Sequence, residues 1–183
     1  MYMKIKTLHD EDLKSVVEHP ILMEIVENEV IEPEHVDIEA KYGVSKAEIP
    51  HYSTWKPKFT MDRYDVEGAF PGLHYLITGT TELAEYPLNF LCAPHRVVTE
   101  MGWGPVNTYF AREVQEIVSA IDALDYNQLI KKYDPSDFQA KRILRGYTWK
   151  KEDIYSMLDQ LKDIRNFLFE ACSNGKGIYI IVQ

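Results

Sequence analysis

The stretch IYSMLDQLKDIRNFLFEACSNGKGIYIIV, Ile154 to Val182, decides how this chain folds. Ile154, Met157, Leu158, Leu161, Ile164, Leu168 and Ala171 recur at intervals of three and four, which sets them on one face of an α-helix. Gly175 follows the last of them, and glycine enters the left-handed conformation that ends many helices without a Cβ penalty. Ile178 to Val182 is then a short unbroken apolar run, as a buried strand requires. A striped helix running straight into a buried strand needs a sheet to pack on, which the rest of the chain must supply.

Upstream, Val114, Ile117, Val118, Ile121 and Leu124 mark a second helical face, preceded by a strand through Val106, Thr108 and Phe110. Asp125, with Gln128 three residues on, resembles a capping box, and Asp134 before Pro135 predicts another helix start. At the other end, Met3, Ile5 and Leu8 come near alternation with Lys4 and Lys6, the pattern of a first strand. Asp10 is placed to cap a helix carrying Leu13, Val16 and Val17. His19 and Pro20 break that helix, and Leu22, Ile25 and Val26 face inward from the next. Between Glu32 and Gly72 periodicity is lost, but Tyr42, Tyr52, Trp55, Phe59, Tyr64 and Phe70 make the region too aromatic for disorder, and a lid or flank over the core is expected. The predicted fold is α+β: a single domain over 1–183 whose small, mostly antiparallel sheet includes the N- and C-terminal strands and packs with several helices.

A chain of 183 residues with 45% hydrophobic content can bury one sizeable core. Its net charge of −9 argues against nucleic acid and anionic membranes as partners. No lysine or arginine occurs from Ser15 to Ala40, while Glu18, Glu24, Glu27, Glu29, Glu32, Glu34, Asp37 and Glu39 do. Such a stretch is either a solvated face or a docking surface for a basic protein, and in the second case Glu24, Glu27, Glu32 and Glu34 are the contact residues. Lys141, Arg142 and Arg145 belong to a basic run that looks like balancing surface charge. With no apolar run of signal-peptide or membrane-spanning length, and with Cys92 and Cys172 expected as free thiols, the cytoplasm is the expected location.

No phosphate-binding loop, dinucleotide fingerprint, zinc-protease histidine pair or nucleophile elbow is present. Cys92 and His95 have the spacing of two metal ligands or of a thiol and a base, but no second pair completes a tetrahedral set, so no metal and no cofactor are expected. His74 lies in the apolar run Leu73 to Gly79, either as a buried histidine bonded to backbone or as an acid or base. Gly102, Trp103, Gly104 and Pro105 form a compact turn able to shape a pocket. The candidate pocket is therefore His74, Thr78, Gly102, Trp103 and Gly104.

Leu73 to Gly79, the Gly102 to Pro105 turn, Tyr109, the helix through Val114 to Leu124, the pair Tyr133 and Asp134, and the Tyr147 to Trp149 segment resemble, in that order, the YfbM-like family of bacterial domains of unknown function. The resemblance covers Leu73 to Val182 well and Met1 to Met23 more loosely. Phe70, Pro71 and Gly72 stand where that family places a lysine and a tryptophan, and about 40–70 looks like a divergent or inserted flank. The resemblance implies a fold and carries no established activity. By analogy, a non-catalytic protein-binding or regulatory domain, of the kind found in immunity proteins, is expected. The rival is a small enzyme using a cleft of His74 and Trp103 for acid and base chemistry on a small substrate.

Overall fold

The computed structural model describes residues 2–27, 38–45, 47–48, 51–52, 54–58, 61–66, 68, 70–82, 84–92, 94–101 and 104–182. Among these, the elements run β1 (Met3–His9), α1 (Asp10–Glu18), α2 (Leu22–Val26), α3 (Ile38–Tyr42), β2 (Arg63–Val66), α4 (Phe70–Thr78), a 3-10 turn (Leu88–Leu91), β3 (Arg96–Met101) and β4 (Gly104–Tyr109). Helices α5 (Ala111–Asp122), α6 (Tyr126–Lys132), α7 (Pro135–Ala140) and α8 (Asp153–Ser173) follow, and β5 (Lys176–Val182) closes the order. The class is α+β, with one antiparallel sheet ordered β2-β1-β5-β4-β3. First and last strands lie side by side in its middle, paired from Met3↔Val182 to His9↔Lys176.

Strand alternation divides the core. Ile178 and Ile180 of β5, with Met3 and Ile5 of β1, face the stripes of α5 and α8, while Tyr179 and Ile181 face α1, α2 and Met101. Both faces are covered, which explains the unbroken apolar run of β5. Every residue of the predicted α8 stripe is buried, and Gly175 has φ 66°. Asp125 and Asp134 cap α6 and α7 as expected, accepting from the amides of Gln128 and Ser136 at 3.1 and 2.9 Å.

Asp10 departs from its predicted role. It is the first residue of α1 rather than its cap, and its carboxylate accepts from Ala111 N at 2.9 Å, so it caps α5 instead. The expected aromatic flank is present in its described part: Tyr42, Val44, Tyr52, Trp55 and Met61 pack against the α1 and α2 side of the core. The same region also supplies β2, which pairs with β1.

Candidate functional site

Helix α4 sets the position of His74. Pro71 is tolerated in its first turn, where an amide has no acceptor within the helix, and Gly72 leaves room for the indole of Trp149, whose Cη2 would stand 2.3 Å from a Cβ there. His74 thus lies on the inward face, 3% exposed. Its Nε2 is 3.3 Å from the carbonyl oxygen of Glu82, which only accepts, so Nε2 carries the proton. Burial lowers the imidazole pKa, and the opposing effect of that carbonyl is the smaller one, so the ring is neutral at pH 7. Nδ1 is then a bare acceptor, buried and without a partner among the described residues. Thr78 is not part of this arrangement. Its hydroxyl donates to the His74 carbonyl at 2.7 Å and serves the helix end.

His74 lines a cavity of about 250 Å³ with Pro71, Thr81, Cys92, Lys141, Arg142 and Ile143. Lys141 and Arg142 come from the C-terminal end of α7, where cations also complement the helix dipole. Lys141 stands 3.9 Å from Asp137 and 5.7 Å from the centre of the Tyr75 ring. Arg142 has no carboxylate partner within ion-pair distance among the described residues, and its φ of 53° is a left-handed conformation that costs a non-glycine residue about 1–3 kcal/mol. Cys92 reaches the surface as a residue, while burial around the thiol pushes its pKa up to about 12. It is therefore a neutral thiol at pH 7 and a poor nucleophile. A second cleft, lined by Arg142 and Arg145 with Gln139, adjoins through Arg142.

His95, three residues after Cys92 in sequence, is committed elsewhere. Its ring stacks on Tyr109 at 4.6 Å and on Tyr86 at 5.0 Å between centroids, and its Nε2 lies 3.0 Å from Glu113. Arg96 donates both terminal nitrogens to the same carboxylate at 2.9 and 2.8 Å, and Phe110 N adds a third donor at 2.8 Å. Burial works to raise the Glu113 pKa, but these bonds outweigh it and hold the carboxyl at about 2. Among the described residues, no three histidine, cysteine or carboxylate side chains come together as a metal site.

Gly104 does not join His74. It opens β4 opposite Met101 of the edge strand β3, and among the described residues it is not in the lining of the His74 cavity. Gly102 and Trp103 lie outside the described residues, as do Glu32 and Glu34.

Glu24 and Glu27 correct the expectation of exposed docking carboxylates. Glu24 is only 8% exposed and accepts from Lys41 at 2.7 Å and from the Tyr42 hydroxyl. The Glu27 side chain is 4% exposed and accepts from Lys6 at 2.7 and 2.8 Å and from the Tyr179 hydroxyl at 2.6 Å. Glu24 and Glu27 take their cations from α3 and β1, a pairing that a local charge count does not reveal. The meeting of Cys92 with His74, Lys141 and Arg142 was likewise missed: each residue is noticeable in the sequence, but no spacing links them.

A family model described as Domain of unknown function (DUF1877) matches residues 1–181. The chain is also similar to a crystal structure described as a protein of unknown function, YfbM from Escherichia coli, with a TM-score of 0.66 and 14% identity over 100% of both chains. At that identity the likeness speaks to the fold alone. No curated protein matches the chain.

Proposed function

The chain belongs to the DUF1877 family, and from that footing we propose that it is a non-catalytic binding domain whose His74 cavity holds a small anionic ligand. One observation carries the reading: a buried histidine, His74, lines a small cavity that also has Lys141 and Arg142 in its wall, and Arg142 has no carboxylate partner within ion-pair distance among the described residues. Two cations in the wall of one small cavity, one of them without a carboxylate of its own, are answered by a ligand that brings negative charge. At about 250 Å³ the cavity is smaller than the roughly 300–1,000 Å³ of drug-sized sites, which suits a small molecule.

Catalysis by this group of residues is the weaker reading. Cys92 is a protonated thiol at neutral pH, and no described group stands ready to take its proton. Binding followed by regulation, of the immunity kind or otherwise, needs only occupancy. Docking of a basic protein through Glu24 and Glu27 loses its support from their burial. Free thiols at Cys92 and Cys172 support a reducing compartment, the cytoplasm.

Isothermal calorimetry with succinate and with methyl phosphate tests the reading. Saturable binding is expected, weakened about tenfold or more in Arg142→Ala, because a lost charged hydrogen bond has that size. Binding that Arg142→Ala leaves unchanged would remove the cavity from consideration.

A further inference from the structure

We infer that the ligand of the His74 cavity is a double anion, with two linked acidic groups that straddle Arg142: one in the cavity beside Lys141, the other in the adjoining cleft beside Arg145. The inference rests on the anion-binding reading and supplies the chemical class that the reading leaves open. Arg142 is in the wall of both spaces, the first of about 250 Å³ and the second of about 400 Å³. Lys141 lines the first and Arg145 the second. Three cations within five residues thus serve two neighbouring sites, on a chain whose net charge is −9. Among the described residues, the carboxylate within ion-pair distance of any of them is Asp137, 3.9 Å from Lys141, and it also accepts from the Tyr75 hydroxyl. A single acidic group can meet Lys141 and Arg142 and still leave Arg145 unanswered. A second group linked to it answers that charge as well.

The backbone at Arg142 supports a role for this side chain beyond balancing charge. Lys141 caps α7, Arg142 N donates to the Gln139 carbonyl at 3.1 Å, and Ile143 N donates to the Phe138 carbonyl at 3.2 Å, the two bonds of a left-handed helix stop. Glycine is the residue such a stop favours, and Gly175 holds the equivalent place after α8 with φ 66°. Arg142 takes the conformation with a Cβ, at φ 53°, and among the described residues no other non-glycine residue has a positive φ. A long cationic side chain kept where the fold alone favours glycine is accounted for by what that side chain does. The stop fixes its root at the boundary of the two clefts, and a guanidinium, with five donors in a planar fork, can serve an acidic group on each side.

Matched probes that differ by one acidic group test this on the full chain by calorimetry: inorganic pyrophosphate against inorganic phosphate, and glutarate against valerate. The doubly acidic member of at least one pair is expected to bind about tenfold tighter, the size of one charged hydrogen bond, and the pair that separates distinguishes a phosphoryl from a carboxyl ligand. Arg145→Ala should erase that preference and leave the affinity for the singly acidic member unchanged. Arg142→Gly should weaken both members, yet hold the melting midpoint or raise it by up to about 4 °C, because glycine takes the left-handed stop without a Cβ penalty. Equal affinities within both pairs, an Arg145→Ala variant that weakens both members alike, or an Arg142→Gly variant that melts well below the unaltered protein would each overturn the inference while leaving the anion site standing. If none of the probes binds, the anion reading falls with it.

Discussion

The hydroxyl of Tyr179, on the last strand, donates to Glu27 Oε1 at 2.6 Å across 152 residues of chain. Lys6 on the first strand completes the arrangement at 2.7 Å, so one carboxylate just beyond α2 joins β1 to β5 from the side.

Removing the charge of Glu27 should therefore be costly. Glu27→Gln keeps the volume and an acceptor for Tyr179 but leaves Lys6 uncompensated, with a side chain only 14% exposed. Breaking a buried pair costs about 3–5 kcal/mol, and partial access of Lys6 to water puts the expectation at the low end. Glu18→Gln, at an exposed position on α1, should change stability by less than about 0.5 kcal/mol. Urea denaturation of both variants checks this, and equal midpoints would return Glu27 to the solvated face.

Stability should fall at both ends of the pH scale for different reasons. The folded Glu113 carboxyl titrates at about 2, below its ordinary 4.5, so its contribution is complete above pH 4.5 and is lost as pH falls toward 2. Arg96→Gln removes two of its donors and should destabilise the protein more at pH 7 than at pH 2.5. At the alkaline end, burial first and then Glu27 raise the Tyr179 pKa above its ordinary 10.0, so its contribution is complete below that value and is lost as pH rises past it. Thermal melts across pH, with and without Arg96→Gln, would show this; an equal penalty at pH 7 and 2.5 would contradict the assignment for Glu113.

Two glycines should differ in their tolerance of a methyl group. A Cβ at Gly177 would meet the Tyr109 carbonyl oxygen at 2.4 Å and Leu13 Cδ2 at 2.7 Å, and backbone at the centre of a sheet cannot step aside cheaply. At Gly72 the obstacle is the Trp149 indole at 2.3 Å, and alanine gains about 1 kcal/mol of helix propensity against the clash. Overpacking costs about 1–3 kcal/mol, so Gly177→Ala should lie at or above the top of that range and Gly72→Ala below it. Urea midpoints decide, and a harmless Gly177→Ala would contradict the strand packing.

Leu161→Ala should cost about 2–5 kcal/mol, since the side chain is fully buried in the middle of the α8 stripe. A thermal melt is sufficient, and an unchanged midpoint would mean that the stripe faces elsewhere.

What could be read from the sequence was whatever local periodicity controls. The α8 stripe, the caps at Asp125 and Asp134 and the strands at both ends each depend on neighbours within a few residues. Strands β2 and β3 were missed because neither is an apolar run: Arg63–Val66 lies at a sheet edge and buries only Val66, and Arg96–Met101 buries only Met101. The site was legible only in part. His74 stood out as a polar residue in an apolar run, but Cys92, Lys141 and Arg142 reach it through tertiary contacts that leave no trace in spacing.

The pairing of β1 with β5 also sets the order in which this protein can be assembled. As the chain leaves the ribosome, β1 emerges with β2 available to one edge, while its other edge waits until β5 has been made. The centre of the sheet closes only when β5 arrives, so helices α5 and α8 have no finished surface to settle on until β5 has been made. Contacts so distant in sequence make for slow folding and a long interval with an open apolar edge. Lys4 and Lys6 sit on that edge, charges of the kind that keep an unpaired strand from joining another chain while it waits.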